Sequence, residues 1–121
     1  MELYQRIVEK LRRYGEVLSE VADPNPSSSD SSKSDKYIHD RDVEWLERSD
    51  FFVAEVTVPS LGVGYEVAKA QELGKPTLCL YRPDGERKLS SMIAWSDKVT
   101  VFNYSEVQEL DSVLEHFLVK K

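Results

Sequence analysis

Two carboxylates, Glu66 and Asp42, lie in sequence contexts that suit nucleophilic or acid–base chemistry. Glu66 ends the segment PSLGVGYE, Pro59 to Glu66, which follows the apolar run Phe51 to Val58 and opens a helix-like stretch. In open α/β sheets, ligands collect at the carboxyl ends of the strands, and the following helix offers free backbone N–H groups to anions. The position therefore suits a carboxylate that acts on an anionic ligand.

The residues just before Glu66 also indicate a ligand site. Gly62 and Gly64 are predicted to let the backbone turn sharply and approach a ligand closely. Pro59 helps to end the strand, and Ser60 can cap the helix. A plainer interpretation is a strand-to-helix turn whose acid only complements the helix dipole, and glycine spacing alone favours it.

Asp42 shares the apolar stripe of a predicted helix. It follows Ile38 by four residues and precedes Trp45 by three, so it lies on the face expected to meet the core. A desolvated carboxylate is costly unless it is paired, and such perturbed groups are enriched at functional sites. The alternative is an acid at the edge of the stripe that reaches water or pairs with Arg41 or Arg48.

Two inward-facing acids from consecutive units of one sheet can converge, and paired carboxylates suit cleavage of a glycosidic bond. The helix N-terminus favours the ionised form of Glu66, as a nucleophile requires, and the more apolar setting of Asp42 makes it the better proton donor. His39 could line such a site, although a structural role is favoured, and His116 is expected to be inert. No serine lies in a nucleophile elbow, so a Ser-His-Asp triad is not supported.

Alternating helix-like and strand-like segments predict the scaffold that holds these residues. This alternation is typical of an α/β fold with a parallel, right-handed sheet. Apolar residues at three- and four-residue spacing predict a first helix that ends at Gly15. The predicted strands are Val17 to Val21, Phe51 to Val58, Pro76 to Tyr81 and Lys98 to Asn103; the later helices are Tyr37 to Ser49, Val63 to Leu73 and one from Ser105, with a capping-box spacing to Gln108.

Composition limits the class of protein. The 121 residues predict a single domain, 1–121, with a mobile loop at 23–36 that is rich in Ser, Asp and Pro. A net charge of −6 argues against a nucleic-acid partner, because phosphate backbones require clustered Lys and Arg. Cys79 is the only cysteine, so an intramolecular disulfide and a zinc cluster are excluded and a buried thiol is expected. No apolar stretch approaches ~20 residues and the N-terminus lacks signal-peptide features, which predicts a cytoplasmic or nuclear protein without a membrane partner.

Three segments of the sequence resemble a known family, the 2'-deoxynucleoside 5'-monophosphate N-glycosidases, which are relatives of the nucleoside 2-deoxyribosyltransferases. The segments are YIHDRDVEWLERSD, FFVAEVTVPSLGVGYEVAKAQELGKPTLCLYRP and KLSSMI. The resemblance implies a Rossmann-like (flavodoxin-like) parallel sheet flanked by helices, a homodimer, and neither a metal nor an organic cofactor. It also implies hydrolysis of deoxynucleoside 5'-monophosphates to free base and 2-deoxyribose 5-phosphate through a covalent deoxyribosyl-enzyme intermediate.

The same resemblance assigns roles by motif position. Glu66 matches the nucleophile of the family, and Asp42 matches the second catalytic acid, which assists departure of the base. Ser60 matches a residue that contacts the 5'-phosphate. The remaining substrate-binding positions are Gly62 and Gly64 in the same segment, Ser90, which matches a serine that the neighbouring subunit donates to the phosphate, Met92 close to it, and Ile38 at the base pocket.

Family members begin with a strand and a glycine-rich loop of the form GSIRGG, which MELYQRIVEK does not match. The sheet is therefore expected to lack the first strand of the family, with a loss of phosphate affinity. Two alternatives to the hydrolase stay open. One is a deoxyribosyltransferase that passes the sugar between bases, and the other is a nucleotide-binding or dimerisation module with impaired catalysis.

Overall fold

A computed structural model describes residues 3–19 and 34–119, and the chain divides into two compact units, 1–49 and 50–121. The described residues of the first unit form the helices α1 at Leu3–Leu11 and α2 at Asp35–Arg48. The Ser34 side chain caps α2 by accepting a hydrogen bond from the backbone N–H of Tyr37. α1 is amphipathic as predicted, with Ile7 and Val8 buried.

The second unit is built on a parallel sheet whose strands run in the order β1-β2-β3. β2 is central, and all five of its residues are buried, as expected for a parallel strand covered on both faces. The registers align Ala54 with Cys79 and Cys79 with Val101. The elements are β1 at Phe52–Glu55, α3 at Leu61–Glu72, β2 at Thr77–Tyr81, α4 at Ser91–Ala94, β3 at Val99–Asn103, a 3-10 turn at Val107–Glu109 and α5 at Leu110–Val119.

The core of this second unit forms where α3 meets the sheet. α3 contacts β1 and β2, and the short α4 contacts β3. Val67 is the buried α3 residue of a cluster that also takes in alternate residues of β1 and β2. This packing fixes α3 on the sheet, so the segment between β1 and α3 is held at both ends. The cluster consists of Ala54, Val56, Val67, Cys79 and Tyr81.

The predicted α/β class is confirmed, and the three later strands lie inside their predicted ranges. The predicted strand from Val17 to Val21 is wrong for Val17, Leu18 and Ser19, which lie in irregular backbone; residues 20 and 21 lie outside the described residues. The predicted loop at 23–36 ends earlier, because Asp35 and Lys36 belong to α2, and residues 23–33 also lie outside the described residues.

The ends and starts of helices account for most of the other differences. α1 ends at Leu11 rather than at Gly15, and a turn follows it. α3 begins at Leu61 rather than Val63, because Ser60 is the cap. The predicted cap pairing of Ser105 with Gln108 is wrong by one residue: the Glu109 carboxylate accepts hydrogen bonds from the backbone N–H groups of Ser105 and Glu106, both at 3.1 Å. α4 has only four residues and was not predicted.

Across the described parts of the chain, none of the helices has the length and apolar character to cross a membrane.

Burial of Cys79 predicts an unreactive thiol. Its side chain is fully buried in β2, and burial raises the pKa of the thiol to about 11. We expect a thiol-specific reagent at pH 8 to leave the native protein unlabelled and to modify one thiol per chain after unfolding in urea. Rapid stoichiometric labelling without urea would contradict this burial.

Candidate active site

A hydrogen-bonded cluster joins the carboxyl ends of the three strands. The Glu55 carboxylate at the end of β1 accepts from the backbone N–H of Thr57 at 2.9 Å, from the Thr57 hydroxyl at 2.7 Å and from the Tyr104 hydroxyl at 2.5 Å. Thr57 Oγ1 in turn accepts from the backbone N–H of Arg82, just after β2, at 2.9 Å. Tyr104 follows β3 and is nearly fully buried. The edge of the sheet that parallel α/β folds use for ligands is therefore fixed by side chains as well as by the strand ladder.

The connection from β1 to α3 ends at a capped helix. Ser60 has extended backbone angles, and its Oγ accepts a hydrogen bond from the Val63 N–H at 3.2 Å. The Ser60 carbonyl accepts from the Gly64 N–H at 3.0 Å, which begins the helical hydrogen-bond pattern. A hydroxyl that accepts in this way keeps its own proton for a second partner. Ser60 can therefore cap the helix and donate to a ligand at the helix N-terminus.

Gly62 and Gly64 do not make the sharp turn that we predicted. Both lie inside α3, and among the described residues the glycines with positive φ are at positions 15, 74 and 85. A Cβ atom at Gly64 would meet no heavy atom within 4 Å, and one at Gly62 would meet only Ser60 Oγ at 3.9 Å. Their predicted role in close approach of a ligand stays a prediction.

Glu66 lies in the second turn of α3 and is half-buried. The residues of α3 that face the core are Val67 and Ala70, which are 2% and 0% exposed, so Glu66 stands beside the inward stripe. Lys69 and Glu72, further along the same helix, form an ion pair at 3.3 Å. The helix dipole acts mainly within the first turn, and it therefore contributes less to Glu66 than the sequence suggested.

Asp42 is paired with its neighbour Arg41 in α2. The carboxylate is 31% exposed, and its Oδ1 accepts from Arg41 Nη2 at 2.9 Å and from Nε at 3.0 Å. The Arg41 guanidinium also stacks over the rings of Trp45 and Tyr37, with its carbon 4.6 and 5.9 Å from their centroids. The pairing with Arg41, one of the alternatives left open by the sequence, is confirmed. The role of Asp42 as the better proton donor stays a prediction.

The other predicted residues lie on α2 and at α4. Ile38 is half-buried in α2, one turn before Asp42, and His39 is exposed with its Nδ1 3.0 Å from Asp40 Oδ1. Ser90 is the N-cap of α4, where its Oγ accepts from the Met92 N–H at 3.2 Å, and the Met92 side chain is 84% exposed. Both predicted phosphate-binding serines are thus helix caps. Because Ile38 and Asp42 belong to the first unit, their proximity to Glu66 stays a prediction.

Sequence reasoning missed Glu55, Tyr104 and the stacking of Arg41 on the aromatic rings of α2. Glu55 shares the conspicuous segment AEVTVPSLGVGYE, and a lone acid inside an apolar strand was an available signal for a buried polar cluster. The spacing of Tyr37, Arg41 and Trp45 by four residues was an available signal for stacking on one helix face. Across residues 3–19 and 34–119, no group of three His, Cys, Asp or Glu side chains could hold a metal ion.

The cap at Ser60 predicts a separable effect on stability. We expect Ser60→Ala to lower the free energy of unfolding by about 1 kcal/mol, because the Val63 N–H loses its side-chain acceptor. Ser60→Asp preserves an equally good cap and is the matched control. Urea unfolding followed by circular dichroism measures both, and equal stability of the two variants would contradict the role of the cap.

Comparison with known proteins identifies the family. The profile of the nucleoside 2-deoxyribosyltransferase family matches residues 1–111. A 5-hydroxymethyl-dUMP N-hydrolase from Mus musculus is 49% identical over 121 residues, covering 95% of this chain and 69% of that protein. A putative 2'-deoxynucleoside 5'-phosphate N-hydrolase 1 from Nematostella vectensis is 47% identical over 112 residues, covering 90% of this chain and 76% of that protein. The solved structure of a CMP N-glycosidase from Clostridium botulinum has the same fold, with a TM-score of 0.70, 20% identity and coverage of 95% of this chain and 90% of that one. The resemblance inferred from three segments is confirmed, and this chain belongs to the nucleoside 2-deoxyribosyltransferase family.

Proposed function

We propose that this protein hydrolyses the N-glycosidic bond of 2'-deoxynucleoside 5'-monophosphates, releasing the base and 2-deoxyribose 5-phosphate. The structural observation that carries the proposal is α3, which begins at a serine cap beside the carboxyl edge of the sheet and presents a half-buried carboxylate in its second turn. The relatives named as N-hydrolases of deoxynucleotides support the same reaction class. The relative from Mus musculus makes 5-hydroxymethyl-dUMP the first substrate to test.

In the proposed reaction, α3 sets the distance between the phosphate-binding site and the nucleophile. The 5'-phosphate binds at the helix N-terminus, where Ser60 donates its hydroxyl proton and the first-turn N–H groups face the anion. Leu61 and Glu66 are about 7.5 Å apart along the axis, at 1.5 Å of rise per residue. That spacing is of the order of the length of a deoxyribose phosphate, so the anchored sugar can present its anomeric carbon to the Glu66 carboxylate.

The bond changes balance in two steps. In the first, a Glu66 oxygen bonds to the anomeric carbon while the bond from that carbon to the base nitrogen breaks, and the base takes a proton from Asp42. In the second, water bonds to the same carbon, the glutamyl ester breaks, and the proton of the water returns to Asp42. The net reaction consumes one water and regenerates both carboxyl groups.

Ser90 and Met92 belong to a proposed homodimer. Met92 on α4 and Trp95, which caps its C-terminal end, are both 84% exposed, and apolar side chains on the surface mark candidate contact sites. In such a dimer, Ser90 of one chain donates to the phosphate bound by the other, and Met92 lies close to that site.

We also propose a cytoplasmic or nuclear location, which fits a chain with one buried thiol.

The decisive assay measures release of free base from 5-hydroxymethyl-dUMP and the common deoxynucleoside monophosphates. We expect Glu66→Gln to reduce release to background and Asp42→Asn to slow it by about 10² to 10⁴-fold, as for loss of a general acid. Glu72→Gln, at an exposed carboxylate of the same helix, is the control and is expected to retain wild-type turnover. Base release by Glu66→Gln at the wild-type rate would refute the proposal.

A deoxyribosyltransferase is the second candidate, because the matching family profile carries that name. The first step is the same in both reactions, and a second base replaces water in the second step. Adding a different free base to the assay separates the two. We expect no new nucleotide, and its formation at a rate comparable to hydrolysis would establish the transferase.

Gly64 tests whether the ligand approaches the helix backbone. We expect Gly64→Ala to leave stability unchanged or higher, since a Cβ there meets nothing within 4 Å and alanine is favoured over glycine in a helix by about 1 kcal/mol. The KM for the nucleotide is expected to rise about tenfold, because the methyl group occupies space needed by the ligand. Steady-state kinetics and thermal unfolding measure both effects, and an unchanged KM would contradict close approach.

A further inference from the structure

We propose that Glu55 is a positioning residue, whose carboxylate fixes the segment from Thr57 to Ser60 and thereby aims α3 with its Glu66. The proposal rests on the proposed function, because it assigns to Glu55 the placement of the nucleophile. Glu55 lies at the end of β1, well before Glu66 in the chain, and acts on the position of Glu66 through its hydrogen bonds. The structure supports the role through the geometry of the carboxylate, the connectivity of its donors and the shortness of the segment that it holds.

Both oxygens of the Glu55 carboxylate are engaged. Oε1 accepts the backbone N–H of Thr57, and Oε2 accepts the hydroxyls of Thr57 and Tyr104. An ionised carboxylate only accepts hydrogen bonds, so it can satisfy three donors at once. A glutamine would turn an NH2 group toward at least one of them, and two donors would then face each other.

The Thr57 hydroxyl has a defined direction. It accepts from the Arg82 N–H at 2.9 Å, and its own proton therefore goes to Glu55 Oε2 at 2.7 Å. Arg82 follows β2 and Tyr104 follows β3, where the Tyr104 N–H also donates to the Tyr81 carbonyl at 2.9 Å. The cluster thus holds the residue after β1 against the ends of both neighbouring strands.

Only Val58 and Pro59 separate Thr57 from the Ser60 cap. The ring of Pro59 restricts its own φ, and Ser60 is tied to Val63 and Gly64 by the hydrogen bonds that begin α3. The segment therefore has little freedom between its two anchors. When the Glu55 anchor is lost, α3 can shift at its N-terminal end, and a displacement of about 1 Å at a reacting group can cost about 10²-fold in rate.

A structural role alone does not require a carboxylate here. An apolar pair of similar shape can hold two strands together as well as a half-buried polar cluster does, without the desolvation cost. The cluster differs from such a pair because one of its donors is the backbone N–H at the start of the connection to α3. Its expected effect is therefore concentrated on that connection.

The test compares Glu55→Gln and Tyr104→Phe with Val101→Ala, a β3 variant that loses packing against the hydrophobic core and removes none of the hydrogen bonds of Glu55. Amide hydrogen exchange is measured by mass spectrometry for peptides that cover residues 57–66 and 110–119. We expect exchange in 57–66 to rise about tenfold in the two cluster variants, with 110–119 unchanged, and Val101→Ala to show no such selectivity. Unchanged or equally raised exchange in the cluster variants would overturn the proposal.

Kinetics complete the test. Well below the unfolding temperature of every variant, kcat for base release is expected to fall about 10- to 100-fold in Glu55→Gln, with a smaller change in KM. Val101→Ala is expected to keep the wild-type kcat. A wild-type kcat in Glu55→Gln, beside an inactive Glu66→Gln, would overturn positioning and leave the proposed function standing. Full activity of Glu66→Gln would instead refute the proposed function, while hydrogen exchange still decides whether Glu55 anchors the segment.

Discussion

The Glu55 carboxylate is the interaction on which the geometry of the second unit depends. It joins the end of β1 to Tyr104 after β3 and, through Thr57, to the backbone after β2. Parallel strands are held to one another by slanted ladder hydrogen bonds that stop where the strands stop. Beyond that point side chains must hold the connections. Here Glu55 holds the connections after β1 and β3 directly, and Thr57 holds the connection after β2. The position of α3, and of everything on it, follows from this arrangement together with the packing of Val67 against the sheet.

The helix caps link structure to the proposed chemistry. Ser60 and Ser90 each accept a hydrogen bond from a backbone N–H near the start of a helix, which leaves a hydroxyl proton for a phosphate oxygen. One residue can therefore stabilise the apo fold and bind the anion in the complex. The proposed phosphate site therefore requires no dedicated lysine, in a chain with a net charge of −6. It also means that the stability and binding effects of these serines must be separated by the choice of substitution, as aspartate and alanine do at Ser60.

The sequence predicted the parts of the fold that follow from hydrophobic pattern. β2 was recognised as a buried run, and α3 was recognised from its spacing and from Ser60, although its start was two residues late because the glycines suggested a turn. Val17 to Ser19 was wrongly predicted as a strand. A run this short shows too little hydrophobic periodicity to distinguish a strand from irregular backbone. Glu55 and Tyr104 could not be connected, because they are 49 residues apart and only the parallel register brings them together. The pairing of Asp42 with Arg41 was among the alternatives, whereas the stacking of Arg41 on Trp45 depends on a rotamer that sequence does not specify.

The central claim is that Glu66 attacks the sugar and carries it as a covalent ester. Rapid acid quench of the protein during turnover of 5-hydroxymethyl-dUMP, followed by proteolysis and tandem mass spectrometry, tests this claim most directly. The account predicts a 2-deoxyribose 5-phosphate adduct on Glu66 that appears before steady state, disappears when substrate is exhausted and is absent from Glu66→Gln. An adduct on another residue, or none during active turnover under conditions where glutamyl esters survive the quench, would contradict it.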